Sequence, residues 1–188
     1  MTSKLKTDVL ETVSGSGTIA LTNQLSGMTS ASVPLLDHTK MPAGSVLNVY
    51  YHTLGNGTMA TTSTSFVDTG LTITLTPVSA SSRFYMSYSN SPHMNSVNST
   101  AFVQHFVYRD STRTSIGGGA RFSGGGAYWR TFSQTTTGVD SPNTTSAITY
   151  KVKMNTGDAT AYFHLGQHFD AGVSDGTNVT FTITEIKG

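Results

Sequence analysis

Residues 61–88, TTSTSFVDTGLTITLTPVSASSRFYMSY, decide the fold class. Leu71, Ile73 and Leu75 alternate with Thr72, Thr74 and Thr76, so an extended chain puts apolar groups on one face and hydroxyls on the other. A strand is predicted over 65–75. Pro77 cannot continue a ladder, and the polar run 79–82 turns the chain. Phe84, Met86 and Tyr88 then resume the period of two in a second strand over 83–88.

The same texture continues outward from this pair. Strands are predicted at 45–54, 99–109, 114–116, 127–137, 147–154, 160–165 and 179–187, separated by Gly, Asn, Asp and Pro punctuation. Eight or nine strands at this spacing make an all-β chain, an antiparallel β-sandwich or jelly roll. The strand at 99–109 has two apolar faces, with Val103 and Val107 on one and Phe102, Phe106 and Tyr108 on the other. One face belongs in the core, and the other is expected to meet a second subunit.

Composition narrows the function. The 188 residues suffice for one sandwich and a short appendage, 45–188 and 1–44. Only 11% are charged and the net charge is +1, so there is no field to gather nucleic acid or an anionic membrane. The absence of cysteine excludes a disulfide framework and thiolate chemistry, as expected of a protein made in a reducing cytoplasm. The N-terminus lacks the apolar core of a signal peptide, and no stretch approaches the roughly 20 apolar residues that span a bilayer. A place outside the cell would then be reached by lysis, within a virus particle.

Residues 1–30 carry Leu5, Val9, Val13, Ile19 and Leu21 around the turn Ser14-Gly15-Ser16-Gly17. So few apolar groups cannot offset the ordering of this segment alone. It needs a partner surface, and otherwise is a disordered tail. Residues 31–44, with Pro34, Pro42 and Gly44, read as a linker.

Taken together, SKLKTDVLETVSGSGTIALTN, TSTSFVDTGLTITLTPVSASSRF, DSPNTTSAITYKVKM and the terminal TFTITEIKG resemble the fibre-type structural proteins of tailed bacteriophages, especially of marine and cyanobacterial phages. The resemblance implies a short N-terminal virion-attachment segment and a head similar in plan to the tumour-necrosis-factor and complement-type jelly rolls, which form trimers. It lacks the long shaft of many fibres. The expectation is a non-enzymatic virion protein, a homotrimeric tail fibre or fibre tip that docks on other virion proteins through residues 1–30 and meets a host glycan or protein through its head. Tyr50, His52, Phe102, Phe106 and Tyr108 are the candidate trimer-interface residues. A capsid decoration protein and a free carbohydrate-binding module are the alternatives.

Chemistry has few footholds. His164 and His168 are spaced HLGQH, but on an extended strand their Cα atoms would lie roughly 13 Å apart, too far for one ion. His52, His93 and His105 have no adjacent carboxylate, so no metal or cofactor is expected. The tracts 117–119 and 124–126 are rich in glycine without the lysine of a phosphate loop. They read instead as a folded-back loop holding Arg121, Phe122, Tyr128, Trp129 and Arg130. Aromatic groups beside arginine suit a receptor contact, although Trp129 and Phe132 could equally be core residues of the next strand. The ten carboxylates are scattered through turns and form no paired acid and base, so no catalytic residue is assigned.

Overall fold

The structure is a computed structural model and describes residues 38–55, 59–90, 93–96, 102–121, 128–131, 133–157, 162–165 and 178–188. The attachment candidates Leu5, Val9, Val13, Ile19 and Leu21, most of the 31–44 linker, Phe122, His168 and the 166–177 loop lie outside the described residues.

A single 3-10 turn, His38–Lys40, precedes twelve strands among the described residues. They are β1 (Val46–Leu54), β2 (Met59–Thr61), β3 (Val67–Leu75), β4 (Arg83–Asn90), β5 (His93–Ser96), β6 (Phe102–Arg109), β7 (Thr112–Arg121), β8 (Tyr128–Thr131), β9 (Gln134–Asp140), β10 (Ile148–Thr156), β11 (Tyr162–Leu165) and β12 (Val179–Ile186). One sheet runs β1-β12-β4-β9 and the second β3-β10-β6-β7, with antiparallel pairing throughout. Counting only these eight longer strands, the orders are first-eighth-third-sixth and second-seventh-fourth-fifth, the winding of a jelly roll. A third sheet, β2-β11-β5-β8, repeats the first sheet's order with each strand's nearest neighbour in the chain.

The opening stretch behaves as its alternation requires. Leu71, Ile73 and Leu75 of β3 are buried, as are Phe84, Met86 and Tyr88 of β4. Because β3 and β4 lie in different sheets, the Pro77 bend carries the chain across the sandwich. Tyr150, Val152 and Met154 of β10 and Phe181 and Ile183 of β12 complete the layer between the sheets. The rings of Tyr88 and Phe181 stand perpendicular in an edge-to-face pair, with centroids 6.0 Å apart.

Several polar groups inside the sandwich are held by fixed partners. His105, on the inward side of β6, accepts from the Tyr88 hydroxyl at Nδ1 and donates from Nε2 to Gln134 Oε1 at 2.8 Å, a pattern met by the neutral ring. Burial pushes its pKa below the usual 6.5, against the hydrogen bond to Gln134 that pulls it up. An unfolded histidine takes up a proton near 6.5 while the buried ring resists, so this group's contribution is present above that pH and is lost as pH falls below it. Urea midpoints should therefore drop between about pH 7.5 and pH 5.5, and less so in His105→Gln. Equal pH dependence in both proteins would count against a neutral buried ring.

The two sheets are clasped at their sides. Asp140 on β9 accepts from Arg109 on β6 and from the Tyr150 hydroxyl on β10, both at 2.8 Å. On the other side, the His52 ring of β1 lies 3.0 Å from the carbonyl oxygen and 3.1 Å from the amide of Thr72, covering backbone groups on the free edge of β3. The β3 ladder is interrupted at Gly70, whose φ of +89° favours glycine. There the Thr69 hydroxyl bonds the Val152 carbonyl at 2.8 Å in place of the ladder.

One expectation is corrected here. Residues 117–119 do not belong to a loop, since β7 runs unbroken from Thr112 to Arg121 and pairs with β6. Glycine is required by close packing: a Cβ on Gly117 would fall 2.1 Å from Phe106 Cδ1 and 2.5 Å from the His105 carbonyl oxygen. The tract is a strand whose missing side chains make room for those of its neighbour.

Candidate functional site

The alternation that builds the core also sends half of each strand outward, and the two outer faces differ sharply. On the β1-β12-β4-β9 face the registers align three rows across the sheet. They are Val49, Thr184, Tyr85 and Val139; then Tyr51, Thr182, Ser87 and Thr137; then Thr53, Thr180, Ser89 and Thr135. No residue in these rows is charged. Hydroxyls in the third row satisfy one another, Thr53 with Thr180 at 2.9 Å and Ser89 with Thr135 at 3.0 Å. The exposed large apolar side chains of the described residues all lie on this sheet: Tyr51 (75% exposed), Val49 (58%), Val46 and Val139 (both 54%) and Tyr85 (41%).

The β3-β10-β6-β7 face is aromatic and basic. Phe102, Phe106 and Tyr108 point outward from β6, and Phe66 meets the rings of Phe106 and Tyr108 at 5.8 and 5.9 Å. Arg113 lies 4.7 Å from the centroid of Phe106 and Lys153 lies 5.0 Å from that of Tyr108. Asp68 sits 3.3 Å from Lys153 and 3.4 Å from Lys151. Partial burial works to raise its pKa, but the hydrogen bonds and charges of Lys153 and then Lys151 outweigh that and hold the carboxyl below its usual range.

Beside these rings an open groove of about 500 Å³ runs along β6 and β7, bounded by Phe102, Gln104, Phe106, Gly119 and Arg121. Its origin lies in the strand period. The outward positions of β7 are Arg113, Ser115, Gly117, Gly119 and Arg121; the Phe106 ring covers Gly117, and the groove opens beyond that ring, over Gly119 toward Arg121.

The expected site residues are distributed differently from their grouping by sequence. Of the receptor candidates, Arg121 lines the groove, paired across the ladder with Phe102. Tyr128, Trp129 and Arg130 are on β8, in register with Ser96, Asn95 and Met94, so they form a strand and not a loop. Nor do the five trimer candidates share a surface. Tyr50 and His52 turn toward the other sheet, where Tyr50 packs on the core. Phe102, Phe106 and Tyr108 lie on the outer face of that other sheet. Arg113, Gln104 and Phe66 escaped the sequence reading; continuing the period of two through the glycines would have placed Arg113 and Arg121 on one side.

Among the described residues no three His, Cys, Asp or Glu side chains stand close enough to hold a metal ion. His164 lies on β11, directly across the ladder from His93 on β5 and from Ala60 on β2.

No family model matches the chain and no curated protein matches it. Among solved structures, it is similar over 76% of its length to a chain of the T13 viral particle of IBDV, at 10% identity and a TM-score of 0.39. A structure of infectious bursal disease virus, Gx strain, aligns over 76% at 10% identity and a TM-score of 0.28. Dimeric latent PorU from Porphyromonas gingivalis aligns over 78% at 9% identity and a TM-score of 0.34. The chain spans 38%, 40% and 14% of those three chains, respectively. The jelly-roll assignment stands on strand order and register.

Proposed function

We propose that the chain is a non-enzymatic virion structural protein that assembles as a homotrimer, a tail-fibre or fibre-tip subunit docked through residues 1–30, with its jelly-roll head facing outward to the host surface. The observation that carries the assembly is the three charge-free rows of the β1-β12-β4-β9 face, with Arg83 in the row beyond them, and the cluster of exposed apolar side chains there. Rows without charges can meet a second subunit without like-charge repulsion, whereas the opposite face, with Arg113, Arg121, Lys151 and Lys153, would repel itself. The virion setting is supported by the sequence resemblance across the chain.

Magnitudes favour participation of the whole face. Burying Val49, Tyr51, Tyr85 and Val139 is worth on the order of 1–2 kcal/mol each. Association also costs several kcal/mol of lost freedom, so the Thr and Ser rows must pack as well for micromolar assembly. The aromatic face of β6, with its basic neighbours, is left for another partner.

Light scattering of the full chain at micromolar concentration should give three times the chain mass. Val49→Lys combined with Tyr51→Lys should give the monomer mass with an unchanged circular dichroism spectrum, because both side chains point to solvent in the single subunit. A wild-type monomer across that range would overturn the trimer, and a trimeric double variant would move the interface elsewhere.

A further inference from the structure

We propose that the groove between β6 and β7 binds an acidic polysaccharide, with Arg121 and Arg113 meeting its carboxylate or sulfate oxygens and Phe102 and Gln104 meeting the sugar ring. The inference rests on the reading of the head as the outward, surface-contacting part. It names the chemistry of that contact.

Three observations lead there. The first is charge: the face carries Arg113, Arg121, Lys151 and Lys153 against Asp68, four cations and one carboxylate, on a chain whose formal net charge is only +1. Asp68 is already engaged by the two lysines. Neither arginine is paired with a carboxylate among the described residues, and both are exposed. A guanidinium offers a planar fork that matches a carboxylate or sulfate, so Arg121 on the groove wall, with Arg113 over the Phe106 ring that bounds it, selects an anionic ligand.

The second observation is shape. The trough is open and about 500 Å³ in volume, within the range of small-molecule sites, and it runs over the backbone at Gly119, an outward position that carries no side chain. An open trough admits an internal segment of a long chain as readily as an end. The half-buried Phe102 ring and the Gln104 amide on its wall supply apolar area and both hydrogen-bonding senses, which a polyhydroxylated ring requires.

The third observation separates a glycan from single-stranded nucleic acid. Base stacking needs successive open ring faces. Here Arg113 covers Phe106, Lys153 covers Tyr108, and Phe66 packs against both. The cations above these rings leave their own outer sides free for anionic oxygens, but leave no row of faces for bases.

The test uses the full-length chain with four probes: dextran sulfate, alginate, unmodified dextran and oligothymidylate. Retardation in affinity gels is expected with dextran sulfate or alginate, weakened by added sodium chloride, and none with dextran; the arm that binds tells sulfate from carboxylate. Arg113→Ala with Arg121→Ala should weaken binding roughly tenfold or more. Because Arg113 touches Phe106, Arg121→Glu at the exposed end of β7 gives a second measure that spares the fold. Equal retardation by dextran, tighter binding of oligothymidylate, no binding to either acidic polymer, or unchanged binding by both variants would each overturn the proposal. The Val49→Lys, Tyr51→Lys protein keeps its groove, so binding by that monomer separates a failed trimer from a failed groove.

Discussion

Glu185→Ala is expected to lower the unfolding free energy by about 3–5 kcal/mol, a large share of the 5–15 kcal/mol typical of a domain. Glu185 lies on the inward side of β12 and is fully buried. One carboxylate oxygen accepts from the Val78 amide at 2.7 Å. The other accepts from the Asn48 amide at 3.0 Å and, more weakly, from the Tyr50 hydroxyl at 3.4 Å. It thus ties the β3–β4 crossing and the edge strand β1 to the centre of their sheet. Alanine removes the acceptors and leaves the half-buried Val78 and Asn48 donors without these partners, a cost of roughly 1–3 kcal/mol per group before the cavity is counted.

Glu185→Gln separates charge from shape. It keeps the volume and one acceptor but turns a donor toward donors, so an intermediate loss is expected in urea unfolding. A spectroscopic signature accompanies it. The Tyr50 pKa is raised by burial first and then by the charge and hydrogen bond of Glu185, so removing the carboxylate should lower the pH of phenolate formation. An alanine variant with the wild-type midpoint would show that the carboxylate does not anchor the crossing.

Much of this architecture is legible in residue alternation. Alternation places the strands with one apolar face, such as β3 and β4, within two residues of their observed bounds. The two-sided character of β6 was also readable, and its outward rings are half-buried as that pattern requires. What alternation could not supply is the identity of the neighbour. The two-sided pattern points Phe106 and Tyr108 at a second subunit, whereas Phe66, Arg113 and Lys153 of their own chain pack around them.

The reverse holds for β1. Tyr50 and His52 drew notice as the aromatic face of a strand, yet they turn inward, and the exposed partners Val49 and Tyr51 mark the surface instead. A strand at a sandwich edge needs its larger groups to close the side, and this choice of face is made by the opposing sheet. Only the structure reveals which of two apolar faces that will be.

The glycine tract is the sharpest case, because loop and strand make opposite predictions for one substitution. In a surface loop, Gly117→Ala would be neutral or slightly stabilising by restricting the unfolded chain. In β7 it should destabilise by about 2–3 kcal/mol, since the new methyl group would overlap Phe106 and press on backbone. The side-chain clash can be relieved by rotating or truncating Phe106. The contact with the His105 carbonyl oxygen, at 2.5 Å, cannot be relieved without spreading β6 and β7. Phe106→Ala in the Gly117→Ala background should therefore cost less than Phe106→Ala alone, a coupling that a double-mutant cycle in urea reads directly. Additive losses would mean that the two residues are not in contact. A neutral Gly117→Ala would return the tract to a loop and remove one wall of the groove, because Gly119 and Arg121 stand beside Gln104 and Phe102 only if they continue the ladder that Gly117 makes with Phe106.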